Sequence, residues 1–239
     1  MVGTGTLINV AAIVAGGFAG LAGKRLMNEK LQDTLMKSTG LCTMFIGISG
    51  ALEKMMTISD GQLSSGKSLM IITSFALGAL IGEGLNIEER IESFGEWLKR
   101  KSGNANDQSF VNAFVTASFT VCIGAMAIVG SIQDGMSGDP STLMMKAILD
   151  FLIIMVMTAS MGKGCIFSAI PVGIFQGTIT ILASVVAPLM TEGTLNSISL
   201  VGSMLIFCVG VNLIWEHKLK VANMLPAIVI AAIWGAFLW

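Results

Sequence analysis

One carboxylate in this chain, Asp150 in the run KAILDFLIIM, sits at the centre of an otherwise apolar stretch. An ionised acid at the middle of a bilayer costs ~2.5–3.5 kcal/mol on the insertion scale, so one kept at that depth normally faces a bundle interior or a wet cavity. In such a place it can hold a proton or a cation. Two plainer fates compete. Lys146 lies one helical turn away and can pair with it, and a protonated Asp can donate to a backbone carbonyl.

The stretch GKGCIFSAIPVGIFQGTITILA, residues 162–183, follows closely and is more polar than a plain spanning helix. Pro171 lacks a backbone donor and disrupts the helical ladder toward Phe167. Gly173 and Gly177 form a G-x-x-x-G pair that lets another backbone approach. Gln176, Thr178 and Thr180 add donors and acceptors, each of which needs a partner in protein or water. Transporters use interrupted helices of this kind to hold a substrate or ion at the midplane. The plainer use is a kinked packing helix with glutamine as interhelical glue. Asn9 and Asn212, inside two further apolar runs, join the candidate ligands, with the same plainer role open to each.

Other chemistry finds little support. Cys42, Cys122, Cys165 and Cys208 form no C-x-x-C pair and read as small packing residues, so neither a disulfide nor a metal site is expected. There is no H-E-x-x-H, no G-x-S-x-G and no phosphate-cradling glycine loop. An aspartyl protease needs a second mid-depth acid, whereas Glu53, Glu83, Asp134 and Glu216 read as solvated span ends. The single His217 reads as interfacial, and Lys163 as a side chain reaching for inner headgroups. The expectation is a non-enzyme without a cofactor.

These residues must be positioned by membrane helices. The chain is 54% hydrophobic and 12% charged over 239 residues, with a mean hydropathy of +0.80. Soluble domains carry about 25% charged residues. A net charge of −1 says nothing about nucleic acid, and with no basic tract to suggest it none is expected as a partner. A spanning helix needs about 20 apolar residues. That scale gives eight candidate spans: 4–23, 38–56, 67–85, 109–131, 142–161, 165–190, 197–215 and 223–239. The first lacks the basic start of a signal peptide and reads as a retained span. Loops after odd-numbered spans hold eleven of the fourteen Lys and Arg residues, and Lys54, Lys67 and Lys146 fall on the other side. By the positive-inside rule both termini lie outside, and residues 165–190 cross once instead of re-entering.

LNIEERIESFGEWLKRK, residues 85–101, places Ile87, Ile91, Phe94 and Leu98 at helical spacing and predicts a surface helix on the inner leaflet. RLMNEKLQDTLMK, residues 25–37, repeats the idea weakly through Leu26 or Met27, Leu31 and Leu35. Each follows a glycine-rich run, AGGFAG or LGALIG, which suggests duplication. Half-repeats over 1–134 and 140–239 are the coarser version, and aligning TLINVAAIV with AILDFLIIM sets Asn9 opposite Asp150.

The blocks GTLINVAAIVAGG, LGALIGEGLNIEERIESFG and ASMGKGCIFSAIPVGIFQGTITILA resemble a bacterial family of integral membrane proteins known as domain of unknown function 554. The likeness spans nearly the whole chain and implies a small multi-span protein of the bacterial inner membrane. It brings no site residues with it. The overall expectation is an all-α polytopic bundle, a single integral membrane domain over 1–239, that moves a small solute or ion. Asp150, Gln176 and Thr178 would form the site with the broken sixth span. The alternative is a non-transporting scaffold or sensor docking a partner or lipid through residues 85–101. Partners expected are the lipid bilayer, an unidentified solute or ion and, as an option, further copies of the chain.

Overall fold

The computed structural model of the protein describes residues 1–24, 28–59, 62–122, 125–215 and 219–237. Among these the chain is an all-α polytopic membrane bundle with one small hairpin. In order it runs α1 (Thr4–Lys24), α2 (Glu29–Met55), β1 (Met56–Ser59), β2 (Gln62–Ser65), α3 (Ser68–Leu85), α4 (Ile87–Lys101), α5 (Phe110–Cys122) and α6 (Ala125–Ser137). It continues through α7 (Ser141–Met161), a 3₁₀ turn (Lys163–Ser168), α8 (Ala169–Ile181), α9 (Ala183–Val186), α10 (Glu192–Trp215) and α11 (Pro226–Phe237). Leu7, Phe18, Phe45, Leu69, Leu80 and Ile181 lie on the outer surface. A water-soluble monomer does not expose apolar side chains on this scale, whereas lipid tails cover them at no cost.

Among the described residues six helices are long and apolar enough to cross a membrane: Thr4–Lys24, Lys30–Met55, Ser68–Leu85, Ser141–Met161, Lys163–Ile181 and Glu192–Trp215. The expected fourth span is instead two helices, α5 and α6, which together make a seventh crossing if they form one. The expected eighth is the 12-residue α11, too short to pass alone. The sixth ends at Ile181 and not at residue 190, because the helix is interrupted at Leu182 before α9.

Two connections also depart from expectation. Residues 29–37 form no separate surface helix; they are the first turns of the 27-residue α2, whose polar start simply continues the span. Leu26 and Met27 lie outside the described residues, as do Arg25, Glu216, His217 and Lys218. The turn-rich segment around 59–66 is partly β1 and β2, paired antiparallel with Met56 opposite Ser65 and Thr57 opposite Ser64. The Thr57 and Ser64 hydroxyls meet across the pair at 3.0 Å, the kind of cross-strand contact that favours strands in short polar runs.

The chain forms two compact units that interleave in sequence. The first comprises Met1–Thr39, Ile91–Cys122 and Met126–Ala187. The second comprises Gly40–Arg90, Ile123–Ala125 and Pro188–Trp239. In the second, α3 packs on α11, with Gly78 and Gly82 against the backbone of Ala227 and Asn223. Asn223 there ties the start of α4 to the end of α3, accepting the Glu88 N–H at 2.8 Å and donating to Glu83 at 2.6 Å. Lys220 pairs with Glu83 at 2.7 Å, and that hydrogen bond holds the ammonium above its usual pKa.

The first unit is built on α1 and α7. They run parallel: Gly5 meets Leu143, Gly16 meets the Phe151 carbonyl, and Gly20 meets the Met155 carbonyl and Thr158. Side chains at Gly16 or Gly20 would overlap those carbonyl oxygens, so this G-x-x-x-G pair is what lets the two backbones come close. Helix α8 runs antiparallel to α1, with Thr180 beside Thr6 and Ile166 beside Gly17. These directions agree with the odd and even assignment of spans one, five and six. Just ahead of α7, Asp139 accepts the Ser141 N–H at 3.0 Å, which holds its carboxyl below the usual carboxylate range. Helix α4 is the expected amphipathic helix; Gly95 and Leu98 are buried, and the Phe94 ring lies 6.0 Å from that of Phe114.

Gly16→Ala should therefore lower the unfolding free energy in detergent by ~1–3 kcal/mol, the usual cost of overpacking. Gly177→Ala should change it little, because nothing lies within 4 Å of a Cβ built there. Equal losses in the two variants would contradict the packing described.

Candidate functional site

Four polar side chains meet inside the first unit. Asp150 and Lys146 stand one turn apart on α7, and Lys146 Nζ donates to Asp150 Oδ2 at 2.5 Å. Asn9 on α1 donates its Nδ2 to the same carboxylate oxygen at 3.0 Å and to Gln176 Oε1 of α8 at 3.3 Å. The Lys146 ammonium also donates to the carbonyl of Val121 at 2.8 Å. All four side chains are buried, with Asn9 and Gln176 at 0% exposure.

Each contact has a local cause. Val121 lies in the last turn of α5, where carbonyls lack helical partners, and a cation is the favoured neighbour of a helix C-terminus. Lys146 thus satisfies a helix end and a carboxylate together. The carboxylate can only accept, so the Asn9 amide must present nitrogen to it. That fixes Asn9 Oδ1 on the other side, and the Asn9–Gln176 bond in turn fixes the glutamine amide. Two buried atoms are then left without a hydrogen-bond partner, the acceptor Asn9 Oδ1 and the donor Gln176 Nε2. Buried polar atoms in native interiors are normally paired with protein or water, so each of these two has capacity for one further partner.

A polar row continues along α1. One turn before Asn9, Thr6 faces Thr180 of α8 with the hydroxyls 3.5 Å apart. Next to Thr6, the Gly5 N–H donates to Asp134 Oδ2 of α6 at 2.9 Å. Asp134 was expected to be solvated at a span end. It is fully buried instead, because its carboxylate serves the free N–H of the first turn of α1.

Beside this row, α1 and α8 enclose an open groove of about 760 Å³. Its walls are mainly apolar, among them Leu7, Val10 and Ile174, with Thr6 and Thr180 as its polar residues. Gly173 and Gly177 line it too. Among the described residues nothing lies within 4 Å of a Cβ built at Gly177, and one at Gly173 meets the Val10 side chain at 3.3 Å, so this G-x-x-x-G pair does not bring a backbone close.

The sequence candidates therefore divide. Asp150, Gln176 and Asn9 are brought together. The question whether Asp150 faces a cavity or Lys146 is resolved for Lys146, which makes this lysine a buried member of the site and not an outer loop charge. Thr178 points outward and Thr180 inward, since only the latter shares the helical face of Gln176 at i+4. Pro171 falls in the first turn of α8, where no backbone donor is needed, and it marks the change from 3₁₀ turn to α-helix. Asn212 belongs to the second unit, where it takes the plainer role: it clasps Leu219, donating to its carbonyl at 2.7 Å and accepting its N–H at 2.9 Å. Sequence reasoning missed Thr6, which face arithmetic from Asn9 finds at i−3. The Val121 carbonyl has no sequence signal.

The fold and the cluster define a class, the multi-span α-helical membrane proteins with a charged, hydrogen-bonded centre inside the bundle. The chain belongs to the family described as protein of unknown function (DUF554), whose model matches residues 4–236. It is 28% identical to the uncharacterized membrane protein YdfK of Bacillus subtilis (strain 168), over 95% of this chain and 93% of that protein. It is 27% identical to the uncharacterized protein YqgA of Escherichia coli (strain K12), over 98% of each. No solved structure matches the chain.

Lys146→Met should destabilise the protein by ~3–5 kcal/mol, because it strands a buried carboxylate. The double variant Lys146→Met with Asp150→Met should recover most of that loss. Denaturant unfolding in micelles reads both, and losses that simply add would show that the two side chains are not coupled.

Proposed function

We propose that the protein is a secondary carrier or permease for a small solute or ion, with its site at the Asn9–Asp150–Gln176 cluster. The observation that carries this reading is the buried pair of orphaned amide atoms beside a charged couple. A helix joint needs neither. A buried ion pair is a poor device for stability, and hydrophobic residues of similar volume usually serve as well or better. Retained at mid-depth in a membrane, such a pair is better explained as something that opens. The Lys146 ammonium is then the resident cation on Asp150, and a proton or a transported cation competes with it. Loss of the pair frees Lys146 for an anion by the same exchange.

On this reading the protein lies in the bacterial cytoplasmic membrane with both termini outside and carries out no enzymatic chemistry. The bias of eleven basic residues against three supports that orientation, and the membrane-protein name of the Bacillus subtilis relative supports the location.

The rival reading, a scaffold or sensor, draws on α4. Phe94 and Trp97 stack there at 5.8 Å and are 40% and 48% exposed, next to the basic end Lys99–Arg100–Lys101. A partner or an anionic leaflet fits such a face.

A thermal-shift screen of small solutes and ions on the purified protein separates the two. Carrier function predicts at least one stabilising solute whose shift disappears in Asp150→Asn, a change that keeps an acceptor oxygen for Lys146 but removes its counter-charge, so the variant's own cooperative melting transition must be seen first. The same solute should equilibrate across proteoliposomes only with the unmodified protein. A protein indifferent to Asp150→Asn, whose membrane or partner binding fails on charge reversal at Lys99, Arg100 and Lys101, would be the scaffold.

A further inference from the structure

We infer that the carrier's solute is a linear amphiphile with a neutral carboxyl head, which enters from the lipid side along the α1–α8 groove; this rests on the carrier reading above. The groove holds about 760 Å³, within the range of small-molecule sites. Its apolar walls suit an alkyl tail and offer a hydrophilic solute nothing. At the level of the cluster its wall includes Val10, Gly173 and Gly177, the chain neighbours or near neighbours of Asn9 and Gln176. Two of those three have no side chain, while Asn9 and Gln176 themselves lie fully buried behind this wall, so the head reaches their orphaned amide atoms only as α8 parts from α1.

The head group follows from what those atoms lack. Asn9 Oδ1 needs a donor and Gln176 Nε2 needs an acceptor. An undissociated carboxyl group supplies both, its hydroxyl donating to Asn9 Oδ1 while its carbonyl accepts from Gln176 Nε2. The ionised form fits worse, because it would set a second negative charge beside Asp150 and an acceptor against an acceptor. The Thr6 and Thr180 hydroxyls, only loosely joined at 3.5 Å, line the groove one turn away and give the head an intermediate resting place.

Gly177 provides the decisive variant. Nothing lies within 4 Å of its Cβ position, so Gly177→Leu fills the groove without disturbing the fold. The experiment measures equilibrium binding of radiolabelled octanoic acid to the full chain in nanodiscs at mildly acidic pH, with methyl octanoate as competitor. Saturable binding is expected, weakened about tenfold or more by Gly177→Leu and by Gln176→Leu, each loss corresponding to about 1.4 kcal/mol. The ester, which has no donor, should compete poorly. Absent binding, binding unchanged in both variants, or equal competition by the ester would overturn the proposal, the last showing a lipid-tail groove only. If Gly177→Leu fails to fold, the Gln176→Leu and ester arms still decide. A solute whose flux needs Asp150 but ignores Gly177→Leu would leave the carrier reading standing and remove this one.

Discussion

Two full charges stand one turn apart near the middle of α7, and the arrangement of the first unit follows from what they require. Neither Lys146 nor Asp150 can be left alone in hydrocarbon, and each also needs more than the other to fill its hydrogen-bonding capacity. Asn9 supplies a donor to the carboxylate, which sets α1 against α7 at that height. The last turn of α5 supplies a carbonyl to the ammonium, which explains how a helix can end beside the middle of α7 without a loose polar terminus. Gln176 is drawn in by what remains of the Asn9 amide. Four helices thus converge on one charge pair, and the two amides at the end of the chain of bonds, Asn9 and Gln176, are each left one partner short.

Much of this was legible in the residues. The apolar runs gave the bundle and the approximate crossings, and the rarity of acids at depth singled out Asp150. Its partner was also visible, because Lys146 lies at i−4 on the same helix. What resisted reading was long-range. Nothing local in α1 says that Asn9 meets α7 and α8, although the glycines at 16 and 20 announce a close neighbour. The exchange of Thr178 for Thr180 was a facing error that helical arithmetic corrects. Asp134 looked solvated because span ends usually are; that it serves the first turn of α1 depends on where α6 lies. Gly173 and Gly177 show the limit of the motif itself, since the same spacing that brings backbones together in α1 leaves empty space in α8.

The second unit uses the same elements for a different end. Asn212, Asn223, Glu83 and Glu88 are all polar residues near helix ends, and their bonds go largely to main-chain groups of neighbouring turns. These close the connections at α3–α4 and after α10, while the buried hydroxyls of Ser74 and Ser197 in the same unit lack a hydrogen-bond partner. The contrast lies in the charge: polar residues of the second unit finish helix ends, whereas those around Asn9 surround a buried ion pair.

The glycine contacts between α1 and α7 have a mechanical corollary. Helices touching main chain to main chain cannot slide past each other without lifting apart, so α1 and α7 travel as one block. Gly164 presses the 3₁₀ turn onto the Phe110 carbonyl in the same fashion, which pins the near end of α8. Its far end is held too, where Gly135 of α6 meets the Thr180 carbonyl, and the length between meets α1 through side chains and across a void. A movement that parts the amides then bows α8 away from α1 between its two held ends, with the remaining frame standing still.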